Sequence, residues 1–164
     1  QENGIPLRVL DAVEEANEAQ KSVLIEKIKA RFGSDLTGRH FAFWGLAFKP
    51  NTDDVREAPA MDIISDLLAA GARVSATDPE AIPNFSQYFS GPVDYTEDMY
   101  DVLDDADALA IVTEWNEFRT PDFQQILQRM KSPFLFDGRN IYDLEDIPPA
   151  FYYSSIGREI IRPK

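Results

Sequence analysis

The stretch Phe41-Ala-Phe-Trp-Gly-Leu-Ala-Phe-Lys-Pro-Asn-Thr-Asp-Asp-Val-Arg-Glu-Ala-Pro59 predicts a strand, a charged loop and a helix in succession. Its apolar, aromatic beginning suits a strand that is buried on both faces, and Gly45 breaks this run into a loop. Pro59 fits the first turn of a helix, because its fixed φ is helical and its missing N–H would lack a partner there. This order is typical of the opening unit of an α/β sheet.

The loop between this strand and this helix carries two cations, Lys49 and Arg56. In open α/β sheets, ligands bind beyond the carboxyl ends of the strands, which is where this loop lies. Cations beside a helix N-terminus favour phosphate, since the free N–H groups and the helix dipole add to the side-chain charge. The spacing leaves two interpretations open: ligand contacts, or surface ion pairs with Asp53 and Asp54.

The rest of the chain alternates between helical and strand patterns. The predicted elements are a long helix over 5–32 stopped by Gly33, a helix over 59–70, a strand over 73–77, an irregular loop over 80–96, an acidic helix over 97–104, a strand over 108–113, a helix over 118–130, a strand over 134–136 and an edge strand in 151–157. This alternation predicts a Rossmann-like three-layer α/β domain with a mostly parallel sheet, preceded by a long N-terminal helix.

Right-handed crossovers bring the ends of parallel strands to one edge of the sheet. We therefore expect residues that are far apart in the sequence to meet there: Lys49, Arg56, Asp78, Glu114 and Arg139.

The composition excludes several classes of function. The net charge of −13 disfavours nucleic acid and anionic membranes as partners. The chain contains no cysteine, which excludes disulfides, thiolate metal sites and a thiol nucleophile, and we expect the single histidine, His40, to be structural. No apolar run approaches the roughly 20 residues of a membrane span, and no signal peptide is visible, so we expect a cytoplasmic protein.

Two further residues near strand ends, Asp78 and Arg139, have more than one interpretation. Asp78 ends the second predicted strand, where nucleotide-binding folds often hold a ribose hydroxyl. It is also followed by proline, and Asp-Pro favours a turn. The guanidinium of Arg139 either binds a phosphate or carboxylate through paired N–H donors, or is neutralised by Asp137. A phosphoacceptor signalling domain would use Asp78, Thr113 and Lys131, but adjacent acids after the first strand are missing and Lys131 precedes the last strand.

The motifs Gly45 to Pro59, Asp78-Pro79, Thr113-Glu-Trp115 and Phe136-Asp-Gly-Arg-Asn140 together resemble the UDP-glucose/GDP-mannose dehydrogenase family in its C-terminal, UDP-binding domain. The last two motifs are most similar to the members that oxidise UDP-glucose. Dehydrogenases of UDP-N-acetylhexosamines share the first motif and remain an alternative, as does a free-standing nucleotide sensor. An upstream reading frame with a three-glycine fingerprint and a cysteine would favour the enzyme over the sensor.

The resemblance implies a role for four residues of this chain. Phe48 and Lys49 would contact the UDP-sugar, and Arg139 would bind it from a neighbouring loop. Arg56 would reach the NAD that another domain holds. The resemblance assigns no catalytic residue and no metal ligand to these 164 residues.

Enzymes of this family oxidise an alcohol twice, through a covalent intermediate on a cysteine, and bind NAD through a three-glycine domain. The chain has neither feature, so we expect it to be part of a longer enzyme and inactive alone. Residues 1–33 would be the end of the central connecting and dimerisation helix, and 34–164 the UDP-sugar-binding domain. The expected partners are a UDP-sugar, the missing N-terminal domain, and further copies in a homodimer or higher oligomer. The helix would either pair through the face with Leu10, Val13 and Leu24 or fold back.

Overall fold

Six parallel strands form the centre of the computed structural model, which describes residues 22–163. The strands are β1 His40–Trp44, β2 Arg73–Thr77, β3 Val93–Tyr95, β4 Ala108–Ile111, β5 Phe134–Asp137 and β6 Tyr152–Ser155. The helices are α1 over 22–32, α2 Pro59–Ala69, α3 Ile82–Tyr88 and α4 Phe123–Arg129. Short 3₁₀ turns cover Asp101–Leu103, Asn116–Phe118 and Leu144–Asp146.

The strands lie in the order β3-β2-β1-β4-β5-β6, and each neighbouring pair is parallel. The chain starts at the centre, builds outward to β3, and then returns to place β4 on the other side of β1. The loops after β1 and β4 therefore leave the sheet where the strand order reverses, which is where open α/β sheets form their ligand crevice. The predicted Rossmann-like α/β class is confirmed.

The central strands are buried on both faces, as their sequences predict. Phe41, Phe43 and Trp44 of β1 are all fully buried. The Trp44 ring stacks on Phe118 at 5.2 Å between centroids, and its indole N–H donates to the carbonyl oxygen of Met99 at 2.6 Å. Because the one polar atom of this large side chain is bonded, its burial costs little.

The segment over 80–96, predicted as an irregular loop, contains α3 and β3. Pro83 marks the start of the helix rather than a break, because it occupies the first turn, where no N–H is needed. Phe85 is the buried residue of this seven-residue helix. One buried position in so short a segment cannot show a helical periodicity in the sequence. The three-residue β3 is only half buried and lacks a clear strand pattern.

Two other predicted helices are shorter than expected. In the acidic segment over 97–104, only Asp101–Leu103 is helical, as a 3₁₀ turn. The carboxylate of Asp98 accepts from the main-chain N–H of Tyr100, which favours a turn. The helix predicted over 118–130 begins at Phe123, because Asp122 caps it by accepting from the N–H groups of the first turn.

The long N-terminal helix is described only from residue 22, and the predicted part over 5–21 lies outside the described residues. Residues 22–32 are helical, and Gly33, at φ +90°, ends the helix. Leu24 is only 2% exposed and packs in the core of this domain, so for Leu24 the structure supports the fold-back alternative. Between residues 22 and 163, no helix has both the length and the apolar character needed to cross a bilayer.

Candidate functional site

Gly45 fixes the start of the loop that leaves β1. It adopts φ +98°, and a Cβ atom at this position would lie 2.5 Å from the Cβ of Thr113. The Thr113 hydroxyl donates to the carbonyl oxygen of Ala47 at 2.7 Å. The loops after β1 and β4 are therefore in direct contact at the switch point, and only glycine allows that approach.

Asp78, at the end of β2, holds the same loop from the other side. Its Oδ2 accepts from the main-chain N–H groups of Leu46 and Ala47, at 2.7 and 3.0 Å. Its Oδ1 accepts from those of Glu80 and Ala81, at 3.0 and 2.8 Å. The side chain is 4% exposed, and with these bonds little acceptor capacity is left for a ribose hydroxyl. The turn interpretation of Asp78 is the one that the structure supports.

The Thr113-Glu-Trp115 motif has a largely structural role. The indole N–H of Trp115 donates to Oδ2 of Asp78 at 3.1 Å, so the loop after β4 is tied to the end of β2. Glu117 follows closely, and burial together with the charge of Asp78 raises the pKa of its carboxyl above its usual range. The loops of β1, β2 and β4 thus share one buried carboxylate.

The loop over 48–58 is a compact turn. The main-chain N–H of Phe48 donates to the carbonyl oxygen of Asp54 at 2.8 Å, and Thr52 Oγ1 accepts from the N–H of Asp54 at 3.1 Å. Asn51 and Glu57 adopt positive φ values of 61° and 58°, which let the chain reverse direction. This closure presents the Phe48 side chain to solvent with 45% of its surface exposed, beside the exposed Lys49.

Arg56 is paired with one of the two acids that the sequence suggested. Its Nε and Nη2 donate to Oδ1 and Oδ2 of Asp54, at 2.9 and 2.8 Å. This hydrogen bonding lowers the pKa of Asp54 to about 2, with a smaller contribution from the charge of Lys49. Asp53 instead accepts from the side-chain amide of Asn84 in α3, at 3.0 Å.

Arg139 lies directly behind this loop. Its Nε donates to the carbonyl oxygen of Val112 and its Nη2 to that of Phe48, both at 2.9 Å. A carboxylate oxygen of Glu114 is 3.1 Å from Nε, although the N–H itself is directed to Val112. Asp137 accepts from the main-chain N–H of Arg139 and does not neutralise the guanidinium in the way the sequence suggested.

The structure therefore brings together most of the predicted site. Phe48, Lys49, Glu114 and Arg139 lie at one edge, although Phe48 and Arg139 are 91 positions apart. Arg56 is in the same loop, with its guanidinium held by Asp54. Asp78 lies beneath these residues, where its carboxylate holds the loops that follow β1 and β2.

Two contributors escaped the sequence reasoning. The sequence predicts an irregular loop at Asn84, yet its side-chain amide donates to the carbonyl oxygen and the carboxylate of Asp53. The sequence predicts Trp115 only as part of a motif, and its bond to Asp78 joins residues 37 positions apart. The Thr-Glu-Trp motif at a strand end was the one available signal for Trp115. For Asn84 the sequence offered none, because a pair 31 positions apart has no local pattern.

His40 lies at the opposite edge of the sheet, at the start of β1. The Ser75 hydroxyl donates to the carbonyl oxygen of Val102, so it accepts from His40 Nε2–H at 2.7 Å, and Nδ1 is left to accept from Arg73 at 3.3 Å. Burial, with the charge of Arg73, lowers the pKa of His40. This is a neutral, structural histidine, as predicted.

The strand order and the loops at its reversal point define a Rossmann-like α/β domain whose switch point lies at the carboxyl edge of β1 and β4. Residues 42–144 match the UDP binding domain of the UDP-glucose/GDP-mannose dehydrogenase family, and the chain belongs to this family.

Similar proteins share nearly all of the chain. UDP-glucose 6-dehydrogenase TuaD of Bacillus subtilis is 42% identical over 97% of the chain, and the UDP-glucose 6-dehydrogenase of Rhizobium meliloti is 42% identical over 96%. The chain spans only about a third of these relatives, 34% and 36% of their lengths. Among solved structures, a UDP-glucose dehydrogenase from Pyrobaculum islandicum has a TM-score of 0.74 and 32% identity, covering 87% of this chain and 31% of that one. A UDP-D-ManNAc dehydrogenase from Pyrococcus horikoshii has a TM-score of 0.64 and 25% identity, and the match covers 88% of this chain and 31% of that one.

Proposed function

We propose that this chain binds the nucleotide sugar of an NAD-dependent UDP-glucose 6-dehydrogenase. The complete enzyme would oxidise UDP-glucose with two NAD⁺ and one water to UDP-glucuronate and two NADH. Phe48, Lys49 and Arg139 would bind the UDP-sugar, and Arg56 would face the NAD of a separate dinucleotide domain. The observation that carries the proposal is the bond from Arg139 Nη2 to the carbonyl oxygen of Phe48 at the reversal point of the sheet.

The chemistry of Arg139 suits a diphosphate. A guanidinium has five N–H donors, and the bonds to Val112 and Phe48 use one on Nε and one on Nη2. The remaining donors form the outer edge of the fork, which matches two oxygens of a phosphate group. Since two main-chain carbonyls already fix the guanidinium plane, little entropy is lost when a ligand binds. Lys49 directly follows Phe48 in the chain and adds an exposed positive charge to this loop.

The oxidation itself needs groups from outside this chain. The sequence contains no cysteine, so a covalent thiol step cannot be performed by these residues. NAD, when bound, supplies the hydride acceptor. The outer edge of Arg56 offers N–H donors for it, and we expect the purified chain to show no dehydrogenase activity without the dinucleotide domain. NAD-dependent turnover by the chain alone would contradict this assignment.

The relatives favour UDP-glucose as the sugar nucleotide. Proteins that share 96–97% of the chain at 42% identity are named UDP-glucose 6-dehydrogenases. Two solved structures named for UDP-N-acetylmannosamine have lower identities to this chain, 25% and 22%. We therefore propose UDP-glucose as the substrate. Turnover of the complete enzyme with UDP-glucose and with UDP-N-acetylmannosamine compares the two directly, and preference for the second sugar would reject our choice.

Calorimetric titration of the chain with UDP tests the binding site. We expect Lys49→Ala and Arg139→Ala each to weaken binding by about tenfold or more, since a hydrogen bond to a charged group contributes about 1.5–3 kcal/mol. Lys131→Ala is the matched control, because it removes the same charge at the opposite edge of the sheet, where Lys131 pairs with Asp107. Equal affinity in all four proteins would remove Lys49 and Arg139 from the site.

We also propose that the complete enzyme is a cytoplasmic homodimer or higher homo-oligomer. The support is the apolar periodicity that the sequence predicts over 5–21, since apolar residues of 22–32 already pack in the core of this domain. Sedimentation at several protein concentrations tests the association. A constant monomer mass of the complete enzyme would reject the proposed homo-oligomer.

A further inference from the structure

Asp54 holds Arg56 through three hydrogen bonds. Both carboxylate oxygens accept from the guanidinium, at 2.9 and 2.8 Å, and Oδ1 also accepts from the main-chain N–H of Arg56 at 3.0 Å. This side-on geometry fixes the backbone and the plane of the guanidinium together. An isolated surface pair with one contact would leave the arginine free to rotate about its long side chain.

The arginine held in this way keeps its outer edge free of Asp54. The carboxylate uses the N–H of Nε and one N–H of Nη2, so the donors of Nη1 and the second one of Nη2 point away from it. The Arg56 side chain is 76% exposed. A planar pair of N–H groups at the end of a fixed arginine fits two oxygens of a phosphate or diphosphate.

Asp54 is itself fixed to the UDP-sugar side of the loop. Its carbonyl oxygen accepts from the N–H of Phe48, whose own carbonyl oxygen accepts from Arg139. Its N–H donates to Thr52 Oγ1 at 3.1 Å. A continuous chain of hydrogen bonds therefore relates the orientation of Arg56 to that of Arg139. The two outer edges are set by one loop conformation.

We propose that Asp54 is a positioning residue that presents the outer edge of Arg56 to the diphosphate of the dinucleotide cofactor. This inference rests on the proposed function, in which Arg56 faces NAD. Immobilising a long side chain costs about 0.5–1.5 kcal/mol, and Asp54 removes this cost before the cofactor arrives. The opposite role, a latch that keeps Arg56 away from its ligand, would require Asp54 to cover the outer edge, and its contacts are on the inner edge.

Equilibrium binding of NADH to the complete dehydrogenase, followed by nucleotide fluorescence, tests the proposal. We expect Asp54→Asn to raise the dissociation constant of NADH by between about twofold and about tenfold, the range that corresponds to the ordering cost of one side chain. Arg56→Ala should raise it further, and the double variant should match Arg56→Ala alone, because Asp54 acts only through Arg56. The KM for UDP-glucose and the unfolding midpoint should stay unchanged in Asp54→Asn.

Asp53→Asn is the matched control. It removes the same charge from the adjacent residue, whose carboxylate contacts Asn84. We expect its NADH affinity to equal that of the unchanged enzyme. Weakened binding in Arg56→Ala together with unchanged or tighter binding in Asp54→Asn would overturn the positioning role alone. Unchanged binding in Arg56→Ala would overturn the cofactor role of Arg56 as well.

Discussion

Replacing Asp78 by asparagine separates the structural role of this carboxylate from a direct role in ligand binding. Asparagine has one acceptor oxygen and one NH₂ group, where aspartate has two acceptors. Oδ2 of Asp78 serves Leu46, Ala47 and Trp115, so the amide oxygen of the introduced asparagine should take this position. The NH₂ group then faces the N–H groups of the turn that follows β2.

The loss in free energy of unfolding of Asp78→Asn follows from the hydrogen bonds that the variant no longer makes. The N–H groups of Glu80 and Ala81 lose their acceptor and face another donor. Each unsatisfied donor costs about 1–3 kcal/mol, and the exposed position of Glu80 lets water compensate in part. We therefore expect Asp78→Asn to lower the free energy of unfolding by about 3 kcal/mol. For a chain of this length, this corresponds to a drop of about 6–12 °C in Tm.

Urea denaturation and thermal unfolding of the variant measure this loss. Asp53→Asn, an exposed change of the same kind, should stay within about 0.5 kcal/mol of the unchanged protein. UDP affinity, measured well below the Tm, should change little in Asp78→Asn, because the carboxylate supports the loops and does not face the ligand. An unfolding free energy equal to that of the unchanged protein, with a large loss of UDP affinity, would refute the bracing role and restore the ribose interpretation.

Three further predictions concern other parts of the molecule. Gly45→Ala should lower the unfolding free energy by about 2–5 kcal/mol for two reasons. The new Cβ atom would lie 2.5 Å from the Cβ of Thr113, and an alanine at φ +98° is strained. Gly157→Ala, at φ +68° in open space, should show only the backbone part of this cost in the same denaturation experiment. Arg139→Lys should weaken UDP binding by about tenfold in calorimetry, because an ammonium cannot contact both carbonyls and keep a planar outer edge; unchanged affinity would show that charge alone is sufficient. Folding lowers the pKa of His40 below its value of about 6.5 in the unfolded chain. Near and below this pH the unfolded chain therefore binds more protons than the folded protein. The free energy of unfolding should consequently fall as the pH drops below about 6.5. His40→Gln should flatten this part of a stability profile measured from pH 7.5 to 5, and an unchanged slope would assign it to another group.

The sequence predicted the elements whose pattern is long and strongly apolar. The strand Phe41 to Trp44 and the helix from Pro59 were recognised because buried runs, glycine breaks and a first-turn proline are local signals. α3 and β3 were missed, since seven and three residues are too short for a period to show. The sequence also indicated that Phe48, Glu114 and Arg139 share one edge of the sheet, because parallel topology determines where strand ends meet.

The supporting contacts of the site had no such signal. The acceptors of Arg139 are main-chain carbonyls 27 and 91 positions away, and a carbonyl group is present at every residue. The sequence likewise named Asp78 without indicating which groups would bond to it. Side-chain identity thus predicts which residues are available for a site, whereas the orientation of each residue depends on backbone atoms that only the folded chain brings near.

A net charge of −13 does not conflict with an anion-binding edge. Glu114 lies 3.1 Å from Arg139 Nε, and Asp54 binds both Nε and Nη2 of Arg56, so each arginine has an acid on its inner side. Between exposed groups in water such charges interact weakly over long distances, whereas hydrogen bonds at the outer edge act at contact. The neighbouring acids therefore reduce the long-range attraction of the edge and leave its short-range recognition intact. In the proposed function, recognition of each ligand therefore depends on the orientation of one guanidinium, Arg139 for the UDP-sugar and Arg56 for the dinucleotide, more than on an accumulation of positive charge.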